Sequence, residues 1–541
     1  MNGKRAKNAV ILGIIVGCTV TLSKITNSAY LPWPTIMQNN QRTGVYPGFG
    51  EIGNMFTANL KWVKNISSYS NLAALGDLDG DNVAEVVVAA TNGYVYALNG
   101  VNGDTKWSKN IGVTAYASAP AIGNIDADGV IEIVILGMNG VLYALDGTNG
   151  NIKWSENVTS TELWSSPAIG DIDGNPATIE IVIACKDKTV ALRGSNGSVL
   201  WTQPLAAGDV VPAIGNIDGD AAIEVISASN SELYALSGAN GSVKCTTPIT
   251  TTGGAEYVFI PAIADIDDDG IVEVVVQPSQ YIYAINGTNG NIKWSRSFGA
   301  LLTGTTTYCG VALGDIDGDN GLEVIVRDGF SRIYALDENT GSTLWSYQFS
   351  GGSGMVKSPP TLVDVEDDGL LEVIGGNHSG YIPCLEGEGG AFKWEMQISP
   401  GDLHCNHSVG DIDGDGCFEI VGISCPGLGA SYAKVYAMEA PCPGPGIEEN
   451  KNEPRNIDFK VLNRKNSIEI SFTLSNPLAN TDVSISVFDV CGREKSRLNL
   501  GTLGAGNHQW TLNISEFENS VYFVRLSIGE TCGTRKVVVI R

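Results

Sequence analysis

From about residue 60 to residue 440 the chain repeats one pattern of apolar and polar positions every 45 to 50 residues. Each copy has a short apolar strand, an acidic turn, a β-branched run, a second short strand, a Gly-containing turn and, usually, a strand carrying Trp. In the first copy these are residues 75–88 (LGDLDGDNVAEVVV), residues 94–98 (YVYAL) and Lys106-Trp107. The acidic turns begin at Asp77, Asn124, Asp171, Asn216, Asp265, Asp315, Asp364 and Asp411, spaced by 47, 47, 45, 49, 50, 49 and 47 residues. Eight copies of about four short strands predict an all-β fold, a β-propeller. Central strands such as Ile133-Val134-Ile135 and Val274-Val275-Val276 are apolar without alternation, as expected where both faces pack against other sheets. Asn102-Gly103, Asn149-Gly150, Asn289-Gly290 and Thr340-Gly341 supply the positive φ that tight hairpins need.

The Trp positions indicate how the ring closes. They are Trp62, Trp107, Trp154, Trp201, Cys245 in place of Trp, Trp294, Trp345 and Trp394. The last Tyr-Ala strand, residues 436–438, has no Trp strand after it, and the Trp62 strand has no acidic turn before it. Pairing these two removes both open edges and predicts eight blades. Seven blades with one divergent unit is the alternative.

Flanking segments read differently. Lys4, Arg5 and Lys7 precede an apolar run over residues 9–22, which suits a signal peptide spanning 1–29 better than a membrane span. Ile15-Val16-Gly17-Cys18 resembles a lipoprotein processing box, the rival reading with lipidation at Cys18. No later stretch is long and apolar enough to span a membrane, so the expected layout has a lead-in segment at 30–55 and the propeller at 56–440. Residues 441–453 are rich in Pro, Gly and Glu and read as a linker. Residues 454–541 alternate apolar and polar positions in short strands, as in Ile468-Glu-Ile-Ser-Phe472, and predict a small Ig-like β-sandwich.

Charge sharpens this picture. The 541 residues carry a formal charge of −26, which argues against nucleic acid as a partner because phosphate neutralisation needs a basic face. Of the 59 acidic residues, 29 fall at four recurring positions of the eight turns. These are Asp77, Asp79, Asp81 and Glu85; Asn124, Asp126, Asp128 and Glu132; Asp171, Asp173, Asn175 and Glu180; Asn216, Asp218, Asp220 and Glu224. The other half comprises Asp265, Asp267, Asp269 and Glu273; Asp315, Asp317, Asp319 and Glu323; Asp364, Glu366, Asp368 and Glu372; Asp411, Asp413, Asp415 and Glu419. Oxygens at positions 1, 3, 5 and 9 of a Gly-containing loop suit Ca2+, which takes six to eight oxygen ligands. The expectation is several structural Ca2+ ions. The Asn-led second and fourth turns rank lower, and the third, with one inserted residue and a Pro, ranks last. Bare turn chemistry, with Asp bonding its own backbone, is the competing account.

Two further constellations stay open. His404-Cys405-Asn-His407 with Cys417 or Cys425 reads as a transition-metal site, or else as a loop beside a disulfide among Cys405, Cys417, Cys425 and Cys442. Cys491 and Cys532 lie on predicted strands of the sandwich and could pair.

Residues 144–154 (ALDGTNGNIKW) resemble the tryptophan-docking repeat of the quinoprotein, or PQQ-like, eight-bladed propellers, and residues 97–107, 284–294 and 335–345 match it closely. Trp33-Pro34 and Gln41-Arg42-Thr43-Gly44 are similar to the segment that precedes such propellers. The acidic turns resemble FG-GAP or VCBS repeats, a resemblance that implies calcium. Quinoprotein dehydrogenases would carry adjacent cysteines against the quinone; this chain has none, and no quinone ligand set is recognisable. Val487-Phe-Asp-Val-Cys-Gly-Arg493, Gly504-Ala-Gly506, residues 521–526 and residues 534–541 resemble a type A sorting domain of the type IX secretion system. That resemblance implies the secretion machinery as a partner and export to the surface of a diderm bacterium. The resulting expectation is a calcium-stabilised propeller that binds glycan or protein ligands at the cell surface, and not an enzyme. A secreted polysaccharide lyase or hydrolase on the same scaffold is the alternative, with no catalytic residue assigned.

Overall fold

A computed structural model describes residues 59–439 and 459–539, apart from short stretches such as 114–118, 160–164, 206–209, 251–256, 299–306, 351–358, 365–369, 398–405, 415–417 and 425–431. The chain forms two compact units, Met1–Cys442 and Pro443–Arg541. Among the described residues no helix is long and apolar enough to cross a membrane.

Among the described residues the first unit has eight four-stranded antiparallel sheets, which we number as blades 1 to 8. In blades 1 to 7 strands a to d follow chain order; blade 2, for example, is Ala121–Gly123, Glu132–Leu136, Val141–Asp146 and Ile152–Asn157. Strand b is buried along its length in blade 2, as in every blade where its burial is described, which explains its unbroken apolar sequence. Blade 8 takes its outermost strand from the other end of the unit: Asn59–Ile66 pairs with Ala433–Glu439, with Trp62 opposite Ala437 and Val63 opposite Tyr436. Strand a of blade 8 in turn lies against strand a of blade 1, and the Ser408 hydroxyl donates to the Ala73 carbonyl oxygen there. The eight-bladed closure is what the Trp positions predicted.

Neighbouring blades are locked by the strand-d tryptophans. The indole N–H of Trp62, Trp107, Trp154, Trp201, Trp294 and Trp345 donates to the carbonyl oxygen of Gly100, Gly147, Gly194, Gly238, Glu338 and Gly387 in the next blade, at 2.6 to 2.7 Å. Each ring lies against a glycine: a Cβ on Gly150 would sit 2.5 Å from the Trp107 ring, so the residue must be Gly for packing as well as for its φ of +71°. Blade 4 breaks the rule. There Cys245 stands for Trp, a pocket opens among Ile217, Leu233, Ile285 and Gly287, and the Thr247 hydroxyl donates to Gly290 instead. Cys245→Trp is therefore expected to fill that pocket and raise stability by about 1 kcal/mol, read as a melting temperature a few degrees higher; a lower value would mean the blades have closed over the gap.

One feature was not legible beforehand. Tyr257–Ile260 and Thr307–Gly310, each leading into strand a of the next blade, pair in parallel as an extra two-stranded ribbon. The pairing joins segments about 50 residues apart, beyond the reach of a local pattern.

The second unit packs a sheet of Phe459–Arg464, Ser467–Leu474 and Gly506–Asn513 with a sheet of Glu494–Thr502, Asp482–Asp489, Ser520–Ile528 and Thr531–Val539. Its core alternates along the strands: Ile468, Ile470 and Phe472 from one sheet meet Val483, Ile485, Val487, Val524 and Leu526 from the other.

Candidate cation-binding turns

Each acidic turn joins strand a to strand b, and its closing Glu is the first residue of strand b. All eight of these glutamates, Glu85, Glu132, Glu180, Glu224, Glu273, Glu323, Glu372 and Glu419, are buried, with exposures from 0% to 2%. One carboxylate oxygen accepts the turn's own backbone N–H, from Leu78 to Glu85 at 2.9 Å, from Ile125 to Glu132 at 2.9 Å and from Ile412 to Glu419 at 3.0 Å. Ile172, Ile217, Ile266 and Ile316 do the same for Glu180, Glu224, Glu273 and Glu323. The first residue of the turn also serves its own loop: Asp77 accepts from Gly80, Asp81 and Asn82, Asp315 from Gly318 and Asn320, and Asp411 from Gly414. Self-capping thus accounts for position 1.

What sequence reading missed is a lysine. In six blades the residue before the strand-d Trp or Cys is Lys, and its ammonium group lies between the carboxylates of the same turn. Lys106 Nζ is 2.5 Å from Asp79, 3.4 Å from Asp81 and 2.8 Å from Glu85. Lys153 reaches Asp126, Asp128 and Glu132 at 2.5, 2.9 and 2.9 Å, and Lys244 reaches Asp218, Asp220 and Glu224 at 2.5, 3.3 and 2.8 Å. Lys293 binds Asp267 and Glu273, Lys393 binds Glu372, and Lys61 of the closing strand binds Asp413 and Glu419. Glu366, Asp368 and Asp415 lie outside the described residues.

A β-bulge aims each lysine. In every blade the pairing of strands c and d skips one residue: Ala97 faces Trp107 but Leu98 faces Thr105, leaving Lys106 unpaired on the bulge. The same skip isolates Lys61, Lys153, Leu200, Lys244, Lys293, Leu344 and Lys393. A bulge turns a side chain out of the regular alternation, here towards the turn at the end of the sheet.

The electrostatics are those of a clamped ammonium. Burial alone would lower the Lys106 pKa, but the hydrogen bonds it donates to Asp79 and Glu85 outweigh it and hold the group above its ordinary value; Lys153 and Lys244 behave alike. Burial raises the carboxyl pKa of Glu85, Glu132 and Glu224 although the lysine opposes it.

Two blades lack the lysine, having Leu200 and Leu344 on the bulge. In blade 3, Asp171, Asp173 and Glu180 offer oxygens all within 4.8 Å of one another. Glu180 Oε2 accepts from Ile172, while the buried Oε1 has no hydrogen-bond partner among the described residues, and burial pushes the carboxyl pKa up to about 7. In blade 6, Glu338 stands where other blades have glycines such as Gly100 and Gly147, adds a carboxyl group to Asp315, Asp317, Asp319 and Glu323, and hydrogen-bonds Glu323. Burial, reinforced by these neighbouring carboxylates, holds Glu323 well above the usual range.

His407 lies elsewhere, on strand a of blade 8 and towards the end of the sheet away from the turns. It is 3% exposed, and burial, with the charge of Arg327 adding, pushes its pKa down to about 3, so it is neutral. His404, Cys405, Cys417, Cys425 and Cys442 lie outside the described residues, as do Cys18, the signal segment, the linker and Cys491.

Comparison with known proteins agrees with this architecture. Residues 47–247 and 262–418 match the repeat family described as outer membrane protein assembly factor BamB, and residues 464–540 match the secretion system C-terminal sorting domain. Among solved structures, the V. cholerae biofilm matrix protein Bap1 is 17% identical with a TM-score of 0.53, covering 72% of this chain and 91% of that one. A quinohemoprotein alcohol dehydrogenase from Pseudomonas putida is 11% identical with a TM-score of 0.51, covering 79% and 82%. BamB from Moraxella catarrhalis is 16% identical with a TM-score of 0.45, covering 69% and 97%. At these identities the structures share the fold alone. No curated protein matches the chain. The sorting domain marks the chain for the type IX secretion machinery and for the cell surface or extracellular space.

Proposed function

Since the chain belongs to the BamB repeat family and ends in a sorting domain, we propose that it is an exported propeller that binds a glycan or protein ligand at the cell surface. The FG-GAP- or VCBS-like acidic turns are, in this reading, structural. In six blades their charge is balanced within the blade by a lysine clamp, which leaves the opposite end of the sheets for recognition.

The observation that carries the reading is the unequal elaboration of that opposite end. Strand d of each blade leads there into strand a of the next. The connections from Pro248 to Ala262, from Ser297 to Ala312 and from Gln348 to Thr361 are longer than the one from Pro204 to Ala213. Two of them contribute the parallel ribbon. Added chain on one face of a rigid scaffold is where binding residues concentrate.

A glycan array probed with the full chain, run beside a polysaccharide-degradation assay, tests this. Saturable binding without product release is expected, and replacing residues 251–256 and 301–306 by Gly and Ser of equal length should abolish binding at unchanged melting temperature. Polysaccharide turnover, or binding indifferent to that replacement, would overturn the proposal.

A further inference from the structure

We propose that the acidic turn of blade 3 is a divalent-cation site, with Asp171, Asp173, Asn175 and Glu180 as its protein oxygens and Ca2+ as its ion. This site is independent of the binding function.

Six blades show what this position in the fold holds. Oε1 of the strand-b Glu faces an ammonium nitrogen at 2.5 to 3.2 Å in every one, and in five of them Oε2 accepts from the turn backbone. Where their contacts are described, the turn's third-position Asp residues converge on the same nitrogen: Asp79, Asp126, Asp218 and Asp413 lie 2.5 to 2.6 Å away. The repeat has therefore built a cation position at the end of each sheet.

Blade 3 keeps the anionic half of this arrangement and changes the cationic half. Its strand-d bulge is present, with Ala191 facing Trp201 and Leu192 facing Val199, but the bulged residue is Leu200. Leucine has no charge to give. Glu180 Oε2 is engaged as in the other blades, and Oε1, the lysine-facing atom elsewhere, is fully buried without a hydrogen-bond partner among the described residues. The Thr178 hydroxyl, close by in sequence, donates to the Asn175 carbonyl oxygen. Glu180 is buried beside a half-buried Asp171 and an exposed Asp173, and among the described residues its carboxylate lacks the ammonium counter-charge that the strand-b Glu has in six other blades. The donors are all oxygen, with neither His nor Cys among them, which selects a hard cation. Asn at the fifth position adds a neutral oxygen, and the added residue before Glu180 lengthens the loop. Ca2+ accepts such irregular geometry, whereas Mg2+ demands a near-ideal octahedron.

Blade 6, the other turn without lysine, differs in its acidic groups: Glu338 adds a further carboxyl group beside Glu323, accepts from the Asn339 side-chain amide, and has no counterpart in blade 3, where Gly194 stands.

Calorimetric titration of chelator-treated full-length protein with CaCl2, and of two variants, decides the matter. Leu200→Lys installs the residue six blades carry, and its ammonium group should displace the ion. The number of Ca2+ bound per chain is expected to fall by one relative to the parent, and the thermal shift on adding CaCl2 to shrink. Glu180→Gln keeps the acceptor for Ile172 and the side-chain shape but removes the charge, and should weaken the same site at least tenfold. It serves also if Leu200→Lys folds poorly. Equal stoichiometry and affinity in parent and Glu180→Gln, or no Ca2+ binding by the parent, would overturn the assignment.

Discussion

A chain shortened to begin at Ser67 is expected to lose cooperative unfolding and to aggregate. The deleted strand, Asn59–Ile66, pairs with Ala433–Glu439 over seven positions and is the sole outer strand of blade 8. Trp62 and Ile66 on it are buried at 7% and 2% exposure, and each contributes roughly 2–3 kcal/mol of apolar burial. The Trp62 indole also bonds Gly100 of blade 1, so the strand fastens two blades. Its removal further strips Lys61 from Asp413 and the buried Glu419. Together these losses approach the whole stability of an ordinary domain, about 5–15 kcal/mol. They also expose the edge of Ala433–Glu439, a template for pairing with other chains. Size-exclusion chromatography and a thermal melt check this; a monomer with the parent's melting temperature would show that the ring does not depend on its closing strand.

Glu132→Ala should be the most damaging single substitution of a charged residue in the turns, at about 3 kcal/mol. The carboxylate is fully buried and joins two partners, the Ile125 N–H at 2.9 Å and Lys153 Nζ at 2.9 Å. Alanine leaves the amide unsatisfied and deprives the ammonium of its buried counter-charge; because the lysine is 25% exposed, part of the loss is recovered through water. Glu132→Gln keeps an acceptor for Ile125 and should cost less than half as much. Denaturant unfolding of the three proteins resolves the order. If alanine and glutamine cost the same, the charge, and not the amide bond, dominates the clamp.

The blades were legible in the sequence because their determinants are local and repeated. A buried strand b has to be apolar on both faces, a hairpin needs Gly at positive φ, and an acidic turn needs small or self-capping residues. Eight repetitions then separate these signals from chance. Even the ring closure could be read, since one Trp strand without an acidic turn and one acidic unit without a Trp strand have a single way to satisfy each other's edges. The ribbon of Tyr257–Ile260 with Thr307–Gly310 was not legible, because nothing nearby in the chain specifies its pairing.

The candidate sites divide along the same line. The sequence by itself determined that acidic residues recur at eight turns, each closed by a Glu that begins the following strand. Only the tertiary structure decided what neutralises them. Lys106, read along its strand, is one polar residue beside Trp107; the bulge opposite Ala97 and Leu98 turns it onto a turn more than 20 residues earlier. Charge balance in these blades is thus set by a strand pairing and not by the turn's own sequence. The third turn, last in rank by its composition, differs from six others through Leu200, a residue outside the turn altogether.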